Sequence, residues 1–402
     1  MQKHNLIVMW TANFFVAASA TMVLPFLAVY IETFGAYSDA YVQRWAGFIF
    51  GITFLVAFIA APLWGRFGDR FGRKKILLIT GYGIAVSIFL MSFVNSVWEL
   101  FFLRAFMGLV TGFIPTSMAL ISAQTNKEEA GKVLGTLQMG TVSGSLFGPL
   151  LGGILADSVG FTYTFVLTAI GITLATTAVA FGIHEIRSKS GPQEKASAAT
   201  VYKTIFTNRM LLFVMLLSFA VQAANFSIQP QLALFVDQLV SVENAAFLAG
   251  AAFSMTGLGN LIATRFWGIQ GDRYGHEWIV LICMALCALF LIPQAFSGSL
   301  TVLLLLRFLF GLALGGVIPC VTAYIRRAVP LDMQGEVLGY NQSFRFLGNV
   351  AGPAAGGVAA GLFGLASVFI LSGAVLAAGA ALYALVIMKE KKGARNHAVN
   401  EG

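Results

Sequence analysis

Eleven stretches of this chain, the shortest 18 residues and the longest 43, contain no charged side chain. A hydrocarbon core ~30 Å thick needs about 20 apolar helical residues per crossing, and backbone polar groups inside it must be satisfied within the segment. Each stretch is therefore read as at least one membrane-spanning helix. The longest, residues 346–388, holds two, turning near residues 361–367, for twelve spans in all. The first run, 6–31, is too long for a signal-peptide core and has no small-residue cleavage site after it, so it is read as a retained span. Only 10% of the residues are charged, against about 25% in soluble domains. With a mean hydropathy of +0.83, that excludes a soluble enzyme, a disordered chain and a nucleic-acid-binding module.

The net charge of +8 then has a membrane explanation. With the N-terminus inside, 21 of the 25 Lys and Arg residues fall in inner segments, one (Arg44) falls outside, and Arg104, Arg307 and Arg345 fall within spans. That bias orients the chain with both termini cytoplasmic, in an inner membrane, and gives it affinity for anionic lipid rather than nucleic acid. The tryptophans, Trp64 and Trp267 among them, sit at or near span ends as interfacial anchors. The one long polar segment, 185–209, divides the chain into an N-terminal six-helix half (1–184) and a C-terminal half (210–388), followed by a cytoplasmic tail (389–402). No nucleotide-binding GxxxxGK[ST] is present, so an ion gradient or a partner must supply energy.

The halves repeat at an offset of 203–205 residues. VLPFLAVYI around Pro25 matches IQPQLALFV around Pro230. GRFGDRFGRK (65–74) matches GIQGDRYGHE (268–277), LFFLRAFMG (100–108) matches LLLLRFLFG (303–311), GKVLGTLQ (131–138) matches GEVLGYNQ (335–342), and GSLFGPLLGG (144–153) matches GNVAGPAAGG (348–357). Two parallel six-helix repeats are the architecture of a transporter with its site near the midplane. The fold class is thus an all-α membrane protein, 12 transmembrane helices in two pseudo-symmetric six-helix halves.

GRFGDRFGRK between spans 2 and 3 resembles the signature loop of the major facilitator superfamily. Together with the Pro25 element, Arg104 in span 4 and GSLFGPLLGG in span 5, it resembles the drug:proton antiporter branch, and YNQSFRFLGNVAGP (340–353) resembles the MdtG-type multidrug transporters. The resemblance covers the whole chain. In the signature loop, Gly65 and Gly68 are expected to allow a tight turn and close helix approach. Asp69 is expected to cap the positive end of a neighbouring helix, held by Arg70 and Arg73. The resemblance implies that this neighbour is span 11, near residues 335–338, and that the contact latches the cytoplasmic side. The plain alternative is an ordinary basic loop with a turn.

An arginine within a span normally faces a cavity or a partner. The resemblance makes Arg104 a residue that tunes a proton-carrying acid, with Glu32 near its outer end; the alternatives are a snorkelling arginine and a solvated outer carboxylate. Arg307 is its repeat mate. Gly144, Gly148, Gly152 and Gly153, with Pro149, form a small-residue ridge that lets a second helix approach closely; the resemblance implies contact between spans 5 and 8 near the outer side. Arg345 has no counterpart in the first half and could meet an acid or an anionic group on a substrate.

No carboxylate lies near the centre of any span. Candidate cavity residues are Asn13, Gln138, Gln222, Asn225, Gln229, Asn341 and Arg345, a wall of amides with one arginine. It suits neutral, zwitterionic or anionic amphiphiles. The expected activity is secondary export of lipophilic or amphiphilic drugs, by alternating access and proton antiport. An importer of a small metabolite or sugar and a lipid or glycolipid flippase remain alternatives of the same fold. The chain carries no HExxH, GxSxG or intramembrane acid–base pair, so no enzyme is expected. The expected partners are small amphiphilic substrates and membrane lipids, with no nucleic acid, no metal and no cofactor beyond a proton gradient, and the protein is expected to act as a monomer. The histidines (His4, His184, His276, His397) read as lying at or outside interfaces, and Cys283, Cys287 and Cys320 as buried small hydrophobes.

Overall fold

In a computed structural model, residues 3–125, 130–183, 198–240 and 245–400 are described. The helices are α1 (Lys3–Met22), α2 (Leu27–Glu32), α3 (Asp39–Phe71), α4 (Arg73–Met91), α5 (Val97–Leu109), α6 (Phe113–Ala123), α7 (Ala130–Gly182), α8 (Ala198–Thr207), α9 (Arg209–Ser227), α10 (Leu232–Val240), α11 (Ala245–Tyr274), α12 (His276–Leu291), α13 (Leu300–Ala328), α14 (Leu331–Phe363) and α15 (Leu365–Asn400). Among the described residues, eleven helical stretches are long and apolar enough to cross a membrane. One of them is two crossings. The 53 residues of α7 would reach about 80 Å as one rod, over twice a bilayer core. The helix instead turns back at Gly160, whose φ of 81° is open to glycine without strain. The uncharged runs of the sequence part at the charged Asp157; the turn falls three residues later, where the glycine is.

The repeat is visible in local geometry. Among the described residues four glycines have positive φ, and they pair across the halves: Gly72 (100°) with Gly275 (99°), and Gly160 (81°) with Gly364 (82°). Pro25 and Pro230 each open a short 3-10 turn, at Leu24–Phe26 and Gln229–Gln231, because proline removes a helical N–H donor. Ser96 and Ser299 are matching N-caps, accepting from the N–H of Glu99 at 3.2 Å and of Val302 at 3.4 Å. The Trp64 indole donates to the Leu109 carbonyl at 2.6 Å and the Trp267 indole to the Leu312 carbonyl at 2.8 Å. These two indoles thus lock neighbouring helices together, beyond the anchoring role expected at span ends.

By packing, the chain forms two compact units. The first takes Met1–Gly191, Ile228–Ser254 and Pro353–Phe363; the second takes Pro192–Ser227, Met255–Gly352 and Gly364–Gly402. In the first, α1 packs along α7, α4 packs on α7, and α3 on α5. In the second, α12 packs on α13 and α15, and α9 on α15. The segments 228–254 and 353–363 belong to the second half by sequence and to the first unit by packing. Close glycine contacts hold them there.

Candidate functional site

The ridge of α7 has two working faces, both inside the first unit. Gly144, Gly148 and Gly152 rest on the backbone of α1, against the carbonyls of Phe14, Ala18 and Met22. Gly153 and Pro149 point the other way, to α11: Gly153 meets Ala246 and Phe247, and Gly250 meets the Pro149 carbonyl. A methyl at these glycines would enter a neighbouring backbone. The span 5 to span 8 approach is therefore made by Pro149 and Gly153, while the GxxxG register serves α1.

A second seam repeats the first at the same offset. Gly357 of α14 meets the Gln43 carbonyl, and Gly47 of α3 meets the Pro353 carbonyl. Side chains close both seams. Asp157 Oδ2 accepts from the Phe247 N–H at 2.8 Å, in the first turn of α11. The Ser254 hydroxyl donates to the Leu146 carbonyl at 2.6 Å, and Gln231 Nε2 donates to the Gln43 carbonyl at 3.1 Å. Both seams lie at the helix ends opposite the basic loops. Gly47, Gly250, Gln43, Gln231 and Asp157 were not singled out from sequence. The repeat match of 144–153 with 348–357 reaches Pro353 and Gly357, but not their partners.

At the basic end, Gly65 and Gly68 lie inside α3, and a methyl at Gly65 would meet nothing within 4 Å. The tight turn expected of them is made instead by Gly72, because only that residue takes a positive φ. The side chain of Asp69 lies outside the described residues, and with it the expected contact to residues 335–338. Arg70 stacks its guanidinium 5.2 Å from the Phe71 ring centroid. Arg73 donates to the Ala119 carbonyl, tying the start of α4 to α6 beside a cavity of about 230 Å³ that Trp64, Gly65, Gly68 and Thr116 also line. In the second copy, Asp272 pairs with Arg327 at 2.9 Å and lies 3.4 Å from His276. His276 is 3% exposed, which corrects the expectation that no histidine is buried. It takes the position of Arg73 in the repeat and is enclosed by Gly271 and Cys320.

Arg104 and Arg307 are both buried. Near Arg104 stands Tyr30, whose neutral hydroxyl donates to the Met91 carbonyl at 2.7 Å, and the Arg104 Nε has no hydrogen-bond partner. Glu32 is exposed at the end of α2, and the charges acting on it are Asp39 and Asp237. The expected Glu32–Arg104 pairing does not form: Glu32 is exposed at the end of α2, while Arg104 is buried. Arg307 leaves Nε and Nη2 without partners, and its guanidinium stands 6.0 Å from the Phe369 ring centroid. No Asp or Glu is buried among the described residues.

The amides divide between the units. In the first, Asn13 is buried and accepts from the Ser117 hydroxyl at 2.9 Å, Gln229 is buried, and Gln138 is exposed. In the second, Gln222 donates to Asn349 at 3.1 Å, and Asn225 Oδ1 and Asn341 Oδ1 have no donor. Asn341, Arg345 and Asn349 follow one another at four-residue spacing, so they share one face of α14. That face also carries Gly348 and Gly352, which pack on Phe219 and Ala223 of α9. Arg345 Nη1 donates to Gln342 at 2.9 Å, while Nε has no acceptor. Asn349, not picked from sequence, sits four residues beyond Arg345 and was reachable by that spacing. The three cysteines are buried and free, and no metal-binding group of His, Cys, Asp or Glu occurs among the described residues.

A helical membrane chain built from two repeats, with glycine seams between repeats and polar side chains inside spans, defines a transporter rather than an enzyme. The family model of the Major Facilitator Superfamily matches residues 9–240 and 240–402. The chain belongs to the Major Facilitator Superfamily, as a multi-pass membrane protein. It is 56% identical to the uncharacterized MFS-type transporter YuxJ of Bacillus subtilis (strain 168), over 93% of this chain and 96% of that protein. It is 37% identical to the multidrug resistance protein MdtG of Klebsiella pneumoniae (strain 342), over 93% of this chain and 91% of that one. The fold is shared with a bacterial homologue of the human lysosomal transporter Spinster, crystallised inward-facing and unoccupied (TM-score 0.78, 16% identity, 96% of this chain and 97% of that one). It is also shared with a D-xylose–proton symporter (TM-score 0.75, 15% identity, 94% and 96%).

Proposed function

We propose that this protein is a secondary active exporter of lipophilic or amphiphilic drugs. It works by alternating access, as a monomer with both termini cytoplasmic, and exchanges cargo for protons. The observation that carries the reading is the likeness to MdtG, a multidrug resistance protein, over 93% of the chain. The paired glycine seams support it. An exporter must hold its outer side shut while cargo enters from within, and these seams, closed by backbone contacts and a few side-chain hydrogen bonds, lie at the helix ends opposite the basic loops. The cargo site is drawn from the amides Asn13, Gln138, Gln222, Asn225, Gln229 and Asn341, with Arg345.

Proton coupling rests on Asp69, held by Arg70 and Arg73 in the resemblance. Glu32 is the weaker candidate, since it is exposed and has no cation beside it. The test is an efflux panel in cells, with cationic, neutral and anionic dyes, with and without a protonophore. The reading requires slower accumulation of lipophilic dyes in expressing cells, abolished by the protonophore. Faster accumulation would identify an importer.

A further inference from the structure

Where α8 meets α9, the second unit carries a depression of two chemistries. The polar part, about 690 Å³, is lined by Lys203, Thr204, Thr207, Asn208 and Arg209. The apolar part, about 460 Å³, is lined by Arg209, Leu212, Phe213, Leu216, Val386 and Lys389. Arg209 belongs to both, so the lining changes from cations and hydroxyls to hydrocarbon across one residue.

Local sequence builds this arrangement. Asn208 closes α8 with its N–H on the Thr204 carbonyl at 3.0 Å, and its Oδ1 then caps α9 by accepting from the Leu211 N–H at 3.0 Å. That sharp joint sets Arg209 at the rim. In α8, Ile205 is buried while Lys203 and Phe206 are exposed, an amphipathic pattern suited to a membrane interface. Below the joint, Phe213 stacks on Tyr383 at 6.5 Å, which fixes the groove between α9 and α15. Lys389 closes its lower rim.

Lys203, Arg209 and Lys389 are exposed, and among the described residues no lining side chain is acidic. Among the described residues no carboxylate pairs with any of the three. A soluble anion would not need the hydrocarbon groove, and a neutral lipid would not need three cations. We propose that this depression binds an anionic phospholipid of the leaflet on the side of the basic loops. The phosphate sits among Arg209, Lys389 and Lys203, and one acyl chain follows Leu212, Phe213, Leu216 and Val386. Basic pockets between spans on the cytoplasmic side recognise such headgroups. None of the residues named for the cargo site is among those that line it.

The test is native mass spectrometry of the full chain released from an equal mixture of phosphatidylglycerol and phosphatidylcholine. The wild type should retain phosphatidylglycerol selectively. The double variant R209Q/K389Q should lower that retention about thirtyfold, two surface cation contacts being removed, while R209K/K389R should keep it. L216W fills the groove with all cations in place and should also release the lipid. Equal retention of the two lipids overturns the proposal. So does unchanged phosphatidylglycerol retention in R209Q/K389Q or L216W, or displacement of the lipid by millimolar inorganic phosphate, which would mark a simple anion site.

Discussion

The Asp157 carboxylate accepts a hydrogen bond from the Phe247 backbone N–H at 2.8 Å, joining the end of span 5 in the first repeat to the start of span 8 in the second. The free N–H groups of a helix start carry partial positive charge, so an acid there both caps and neutralises. Loss of such a cap costs about 1 kcal/mol. Asp157→Ala should therefore loosen this seam by that amount. The alkylation rate of a cysteine placed at Ala246 should rise about fivefold over the same reporter with Asp157 intact, and Asp157→Asn should fall between them. An unchanged rate in Asp157→Ala would show that the cap does not hold the seam.

The glycines should separate into two classes. Gly47→Ala and Gly250→Ala place a methyl against the carbonyls of Pro353 and Pro149, and both should lose stability and transport. Gly65→Ala meets open space and should leave the melting temperature unchanged. Thermal melts of the three purified variants decide this, and a Gly65→Ala protein as unstable as Gly250→Ala would contradict it.

The two tryptophan bonds look equivalent and should not be. Leu109 ends α5, where the helix breaks before α6, so its carbonyl relies on the Trp64 indole. Leu312 lies inside the unbroken α13. Trp64→Phe leaves a carbonyl unsatisfied and should cost about 1–3 kcal/mol, while Trp267→Phe should cost under about 1 kcal/mol. Denaturation of the two variants side by side measures the difference, and equal losses would contradict it.

Arg307 is buried with two nitrogens lacking partners. A buried charge without a counter-ion is a burden on the fold, and a well-packed apolar side chain in its place is often neutral or stabilising. Arg307→Met should keep or raise the melting temperature. A fall of several degrees would mean that the guanidinium has a structural partner.

Much of this was legible in the sequence because its signals were long. Uncharged runs gave the spans, and five ordered matches gave the repeat, which reappears as paired positive-φ glycines and paired indole bonds. Short-range conformation was less legible. The signature loop holds several glycines, and nothing in its spacing says that Gly72, rather than Gly65 or Gly68, takes the left-handed turn. Burial across helices was also hidden: His276 sits at a span end by sequence, yet Gly271 leaves a hollow that encloses it. The partner of a close-packed glycine is a backbone carbonyl, which any residue supplies, so Gln43 and Ala246 left no mark in composition.

Drug export driven by protons is tested most directly in everted membrane vesicles. With the lumen acidified, the vesicles should accumulate a lipophilic dye, and adding the dye should alkalinise the lumen. Asp69→Asn should abolish both. Dye movement that ignores the pH gradient, or a lumen that stays acid as dye enters, would contradict the account.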